Sequence, residues 1–151
     1  MIPERVKQVL DQYHLEVLEF TPGSTPTALQ AAEQIGAAVG QIAKSILMRG
    51  KDGSYRMFVT AGDRKISSGK VKRLTGMKHS MADAQETQSV TGFLPGGVCP
   101  FGVTKTAIYL DISLMAYDTI YPAAGTDASG VPVSFEQLME ITGASLCDVT
   151  V

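Results

Sequence analysis

A mixed α/β fold follows from three features of this sequence. Apolar residues recur at helical spacing between capping signals, two β-branched runs alternate across an Asp52-Gly53 turn, and these patterns succeed one another unevenly with no repeat or linker. Ile2, Val6, Val9, Leu10 and Tyr13 mark a first amphipathic helix over 3–14, with Pro3 tolerated in its opening turn. A short strand follows at 16–20, and the turn Thr21-Pro22-Gly23-Ser24-Thr25-Pro26 leads into Thr27-Ala28-Leu29-Gln30. That tetrapeptide fits a capping box for a helix that Gly36 closes. In the strand Gln41 to Met48, a period of two puts Ile42, Lys44, Ile46 and Met48 on one face and Ala43, Ser45 and Leu47 on the other. Asp52-Gly53 turns the chain into a partner strand over 55–61. Ser67 caps the next helix, with Ile66 and Val71 as its staple and Gly76 as its end, and His79 then lies on a strand. Asp83 and Glu86 start a helix ending at Gly92, strands follow at 106–111 and 119–122, and Ser134 with Gln137 starts a last helix ending near Gly143. The whole of 1–151 reads as one domain.

Composition narrows the function classes. With 151 residues the chain can bury about two-thirds of its unfolded surface and needs no staple. Hydrophobic residues at 44% and charged residues at 19% exclude a disordered chain or a coiled coil. Cys99 and Cys147 are too few for a disulfide framework, and without a leader pattern or a bilayer-length apolar run the expected compartment is the reducing cytoplasm. His14 and His79 lie at no metal-ligand spacing and are expected as surface groups. No nucleophile elbow is present. Ser68-Gly69-Lys70-Val71 fails as a P-loop, because Arg64 stands at the first glycine position and Val71 replaces the hydroxyl residue.

Two features carry candidate chemistry. Gly96-Gly97-Val98-Cys99-Pro100-Phe101-Gly102 places three glycines and a proline in one stiff loop whose amides can approach a ligand. The same composition also suits a plain helix-to-strand connection. Lys44 lies in an apolar row, where a lysine either snorkels to water or places its ammonium in a pocket that lowers its pKa. Charge is also uneven. Arg64, Lys65, Lys70, Lys72, Arg73 and Lys78 occupy a window with no acidic residue, whereas the other 7 basic residues share the chain with 15 acidic ones. Such a split suits one surface that meets a polyanion, or a solvated helix face.

Ala31-Ala32-Glu33-Gln34-Ile35-Gly36, the Lys44 strand, Ala61-Gly62-Asp63 and the glycine loop, together with Asp111-Ile112-Ser113-Leu114 and Tyr121-Pro122-Ala123-Ala124-Gly125, resemble the YbaK/EbsC prolyl-tRNA editing family. The resemblance runs from about residue 25 to the C-terminus. It implies a mixed α/β domain with a curved, barrel-like sheet flanked by helices. It also implies a trans-acting aminoacyl-tRNA deacylase that hydrolyses the ester of mischarged tRNA, on tRNA(Pro) carrying cysteine or alanine, without metal or cofactor. Activity would depend on Lys44, and Gly96, Gly97, Val98, Cys99, Pro100, Phe101, Gly102, Asp63 and Asp111 would line the substrate site. Cys99, where many relatives carry a hydroxyl residue, is expected as a lining group and not a nucleophile. The six basic residues from Arg64 to Lys78 would meet the tRNA backbone. The expected partners are the acceptor end of aminoacyl-tRNA and prolyl-tRNA synthetase. A non-catalytic module that holds tRNA or docks on a synthetase is the alternative.

Overall fold

In chain order the elements are α1 (Glu4–Gln12), β1 (Leu18–Glu19), α2 (Ala28–Ile35), β2 (Ile42–Gly50), β3 (Tyr55–Ala61), α3 (Ser68–Thr75) and β4 (His79–Met81). They continue with α4 (Ala84–Thr91), β5 (Ala107–Asp111), β6 (Tyr121–Pro122), β7 (Ser129–Gly130), α5 (Phe135–Thr142) and β8 (Ser145–Cys147). The structure, a computed structural model, describes residues 2–151. Local chemistry sets the helix ends. Thr27, Ser67, Asp83 and Ser134 each accept a backbone N–H at the opening turn, and Gly36, Gly76, Gly92 and Gly143 each close a helix in the left-handed conformation. At Thr27 the expected box is only half made, because Gln30 meets the Thr27 hydroxyl at 3.0 Å instead of its amide.

β2 and β3 form the antiparallel hairpin, in register from Ala43↔Ala61 to Arg49↔Tyr55. Asp52 Oδ1 accepts from Ser54 N at 3.0 Å and Ser54 Oγ at 2.6 Å, which holds the turn. Around this hairpin the main sheet runs β4-β2-β3-β5-β8, with β6 also against β2. β5 and β8 add in parallel, β4 antiparallel, and β6 parallel. β1 and β7 form a separate two-stranded ribbon. The expected barrel-like sheet is corrected here: the sheet is open. Its β2 edge is divided between two short strands and its other edge, β8, has three residues, so neither offers a continuous ladder for closure.

Apolar packing covers both faces of the hairpin. Ala43 and Leu47 join the main core with Val59, Phe93, Phe101, Leu110 and Leu114. Met48 and Phe58 face the other way, against Val71 and Val149, and the Phe58 ring stacks on Tyr109 at 5.1 Å between centroids. Burying Phe58 fully contributes roughly 1.5–3 kcal/mol.

Asp111, expected at the substrate site, is a structural joint instead. Its side chain is fully buried and accepts from Val149 N at 2.7 Å, Thr150 Oγ1 at 2.8 Å and Ser113 N at 3.0 Å. It therefore ties β5 to the segment that follows β8 and caps the following turn of 3-10 helix. Burial pushes this carboxyl up, but the hydrogen bonds from Ser113, Val149 and Thr150 outweigh it and hold the group below the usual carboxylate range. A depressed folded pKa gives stability that is present above the unfolded value near ~3.9 and lost as pH falls through the folded one. Asp111→Asn is accordingly expected to cost about 2–3 kcal/mol near neutrality and to flatten the acid limb of the stability curve. Urea midpoints of both proteins, followed down to about pH 3, check this; parallel curves would contradict it.

Candidate active site

The divided edge of β2 opens a cleft of about 240 Å³. β6 pairs with Ile42 and Ala43, and β4 begins only at Met48, so residues 44 to 47 border the cleft between them. Thr25 to Ala28, where the chain enters α2, form the facing bank with Pro95, Gly96 and Val98. Tyr121, Ala123 and Ser129 add to the lining from the C-terminal half of the chain. Lys44 and the glycine loop thus meet at one place.

Lys44 Nζ donates to the Arg64 carbonyl at 2.7 Å and the Gly62 carbonyl at 3.4 Å. Burial pushes its pKa below the ordinary lysine value; nearby Asp63 opposes the shift and nearby Lys65 adds to it. Directly across the hairpin lies Thr60, whose buried Oγ1 has no partner. Gly62 is closely packed: a Cβ there would stand 2.4 Å from the Val39 carbonyl oxygen. Glycine is required there by space, which explains the Ala61-Gly62-Asp63 pattern. Asp63 itself is exposed and acts on Lys44 from outside the cleft.

Of the seven loop residues, Gly96 and Val98 border the cleft. Gly97 is buried behind them, with its amide given to the Leu94 carbonyl at 3.0 Å, and a Cβ there would lie 3.0 Å from three backbone atoms of Thr126. Cys99, Pro100 and Phe101 are corrected from lining to buried positions, because the loop dives inward after Val98 and spends these side chains on filling the interior. Burial pushes the Cys99 thiol up to about 12, which leaves it without thiolate character. Gly102 ends the loop outside the cleft with its carbonyl accepting from Arg5 Nη1 at 3.1 Å.

Residues 22–141 match the family model for the aminoacyl-tRNA editing domain. The chain belongs to that family. It is 38% identical over 128 residues to the uncharacterized protein YwhH of Bacillus subtilis strain 168, a match covering 84% of this chain and 81% of the relative. It is 24% identical over 126 residues to EbsC of Enterococcus faecalis, a candidate Cys-tRNA(Pro)/Cys-tRNA(Cys) deacylase, covering 82% of this chain and 77% of the relative. The crystal structure of a candidate trans-editing enzyme for prolyl-tRNA synthetase superposes with a TM-score of 0.87 and 36% identity, over 97% of this chain and 95% of that one.

In this editing domain the basic window is split by the fold. Arg64 and Lys65 are exposed beside Lys44, and Lys72, Arg73 and Lys78 are exposed farther along α3 and beyond. Lys70, expected to meet the tRNA backbone, is instead tied to the protein, with Nζ on Asp148 at 3.1 Å and on the Thr150 carbonyl at 2.8 Å. His79, expected at the surface, is buried with Nε2 2.9 Å from Arg56 Nη1 and Nδ1 3.2 Å from the Met77 carbonyl. His14 is exposed, as expected. Among the described residues no group of three His, Cys, Asp or Glu side chains is placed to hold a metal ion.

Arg5 is the supporting residue that sequence reasoning missed. Its guanidinium lies 4.1 Å from the Phe93 ring centroid and donates to the carbonyls of Gly102 and Thr91, so α1 clamps both ends of the glycine-loop region. The only signal in sequence is one arginine beside the apolar stripe of α1. Arg5→Ala is expected to lose about 1–2 kcal/mol of stability and to speed amide hydrogen exchange from Phe93 to Gly102. Unchanged exchange in that segment would show that the loop holds itself.

Proposed function

We propose that this editing domain is a trans-acting aminoacyl-tRNA deacylase, working as one domain on tRNA(Pro) that carries cysteine or alanine. The observation that carries the reading is the meeting of Lys44 with Gly96 and Val98 on one open cleft. EbsC and the trans-editing enzyme supply the substrate class by similarity.

The reaction adds water to the ester carbonyl carbon, forms a tetrahedral oxyanion, and breaks the bond to the ribose oxygen, which leaves with a proton. With the Gly97 amide already engaged, the amides of Gly96 and Val98 are the loop's donors for the oxyanion, each worth roughly 10²–10³ in rate if well aimed. Lys44 orients the terminal adenosine electrostatically, through a phosphate or the developing charge. Gly62 and Arg64 hold its ammonium at the cleft until substrate arrives. The free ribose hydroxyl beside the ester assists activation of water. Arg64 and Lys65 extend positive charge from the cleft mouth along the acceptor end, while Lys72, Arg73 and Lys78 add longer-range attraction. Prolyl-tRNA synthetase is the proposed protein partner. Among the described residues no helix is long and apolar enough to cross a membrane, and we place the protein in the cytoplasm with its substrate.

The test is release of labelled amino acid from a panel of mischarged tRNA(Pro) species. Wild type is expected to release cysteine or alanine, and Lys44→Ala to lose at least about 10²-fold while keeping its urea midpoint. Near-wild-type turnover by Lys44→Ala would remove the lysine from the mechanism. No release from any species, with tRNA still bound, would establish the non-catalytic binding module.

A further inference from the structure

β2 carries an unfilled position in its hydrogen-bond ladder, and it lies inside the cleft. Successive residues of a strand direct their main-chain groups to opposite neighbours. The Leu47 carbonyl accepts from Ala82 N at 3.0 Å and Lys51 N donates to Lys78 O at 2.9 Å, whereas Gly50 N donates to Ser54 O at 2.7 Å across the hairpin. Odd-numbered residues of β2 therefore turn their N–H and C=O away from β3. Ala43 meets β6 in this direction and Leu47 meets the β4 side. Ser45, between them, meets neither. The two flanking partners stand four residues apart, about 13 Å along the strand, which is room for one residue-sized group. A second, independent sign is the Ser45 hydroxyl, which is buried and unpartnered on a residue that lines the cleft.

We propose that Ser45 is the subsite for the aminoacyl group, which fills the vacant ladder position as a one-residue strand between β6 and β4. The α-ammonium of the substrate donates to the Ser45 carbonyl and to Ser45 Oγ, and the ester carbonyl accepts from the Ser45 N–H. An amino acid ester carries a donor and an acceptor at the spacing of one strand residue, so it matches what the edge lacks. Gly96 and Val98 line the same cleft. The arrangement makes the free amine a determinant of recognition, separate from side-chain size. The inference rests on the deacylase reading above and assigns its substrate contact.

The test compares the aminoacyl-tRNA(Pro) released in the panel with its desamino analogue, propionyl for alanyl or 3-mercaptopropionyl for cysteinyl. Each enzymatic rate is divided by the spontaneous hydrolysis of the same ester, because the α-ammonium activates the ester by itself. Wild type is expected to prefer the aminoacyl ester by about 10- to 100-fold in normalised kcat/KM, the range for losing a hydrogen bond from a charged donor. Ser45→Ala is expected to shrink that preference, by raising KM for the aminoacyl ester more than KM for the desamino ester. Equal normalised rates in wild type would overturn the subsite, and a preference unchanged in Ser45→Ala would overturn the part given to the hydroxyl. Silence of wild type on every aminoacyl ester would instead overturn the deacylase reading, and the subsite with it.

Discussion

The edge of β2 is shared by two short strands that do not meet, and the candidate site depends on that division. A continuous neighbour would fill the ladder from Ile42 to Gly50 and leave no cleft. Here β6 stops after Ala43 and β4 starts at Met48, so a stretch of polar backbone lines a hollow inside an otherwise packed domain. Unpaired buried backbone is costly, and such a cost persists in a fold where an occupant or solvent meets it. The same division explains why the sheet stays open.

Around that edge, support comes from packing more than from charge. The glycine loop is held by Arg5 from α1 and by the Phe93 and Phe101 rings beneath it, and Gly97 presses against Thr126. Lys44 is held by two carbonyls, and Gly62, which bears one of them, fits tightly under the Val39 carbonyl. Backbone groups held by tight contacts do not reorganise when charge develops, which is the property an oxyanion site needs. Cys99 belongs to this scaffold: its thiol fills core volume, and its burial removes it from chemistry.

The legible parts of the fold were those governed by neighbours in sequence. Helix ends could be read because Thr27, Ser67, Asp83 and Ser134 bond to amides three residues on, and because Gly36, Gly76, Gly92 and Gly143 take a backbone conformation other residues avoid. The β2–β3 hairpin could be read from Asp52-Gly53 and the alternation on either side. β7 and β8 could not, since two or three residues such as Ser129–Gly130 or Ser145–Cys147 carry too little periodicity to stand out. Lys44 and Gly96 were legible as a site only through resemblance. Composition alone left snorkelling and an ordinary loop open.

By itself, then, the sequence determined most of the elements, the β2–β3 hairpin and the identity of the lysine and glycine loop, because each depends on contacts within a few residues. Tertiary structure decided which members of those motifs face the cleft. Asp111 and Lys70 became joints to the C-terminal segment after β8, Cys99 to Phe101 became core, and Arg5 became a clamp. The vacancy at Ser45 was decided there as well. Each of these outcomes depends on a partner far away in the chain, and a single sequence holds no record of which distant groups meet.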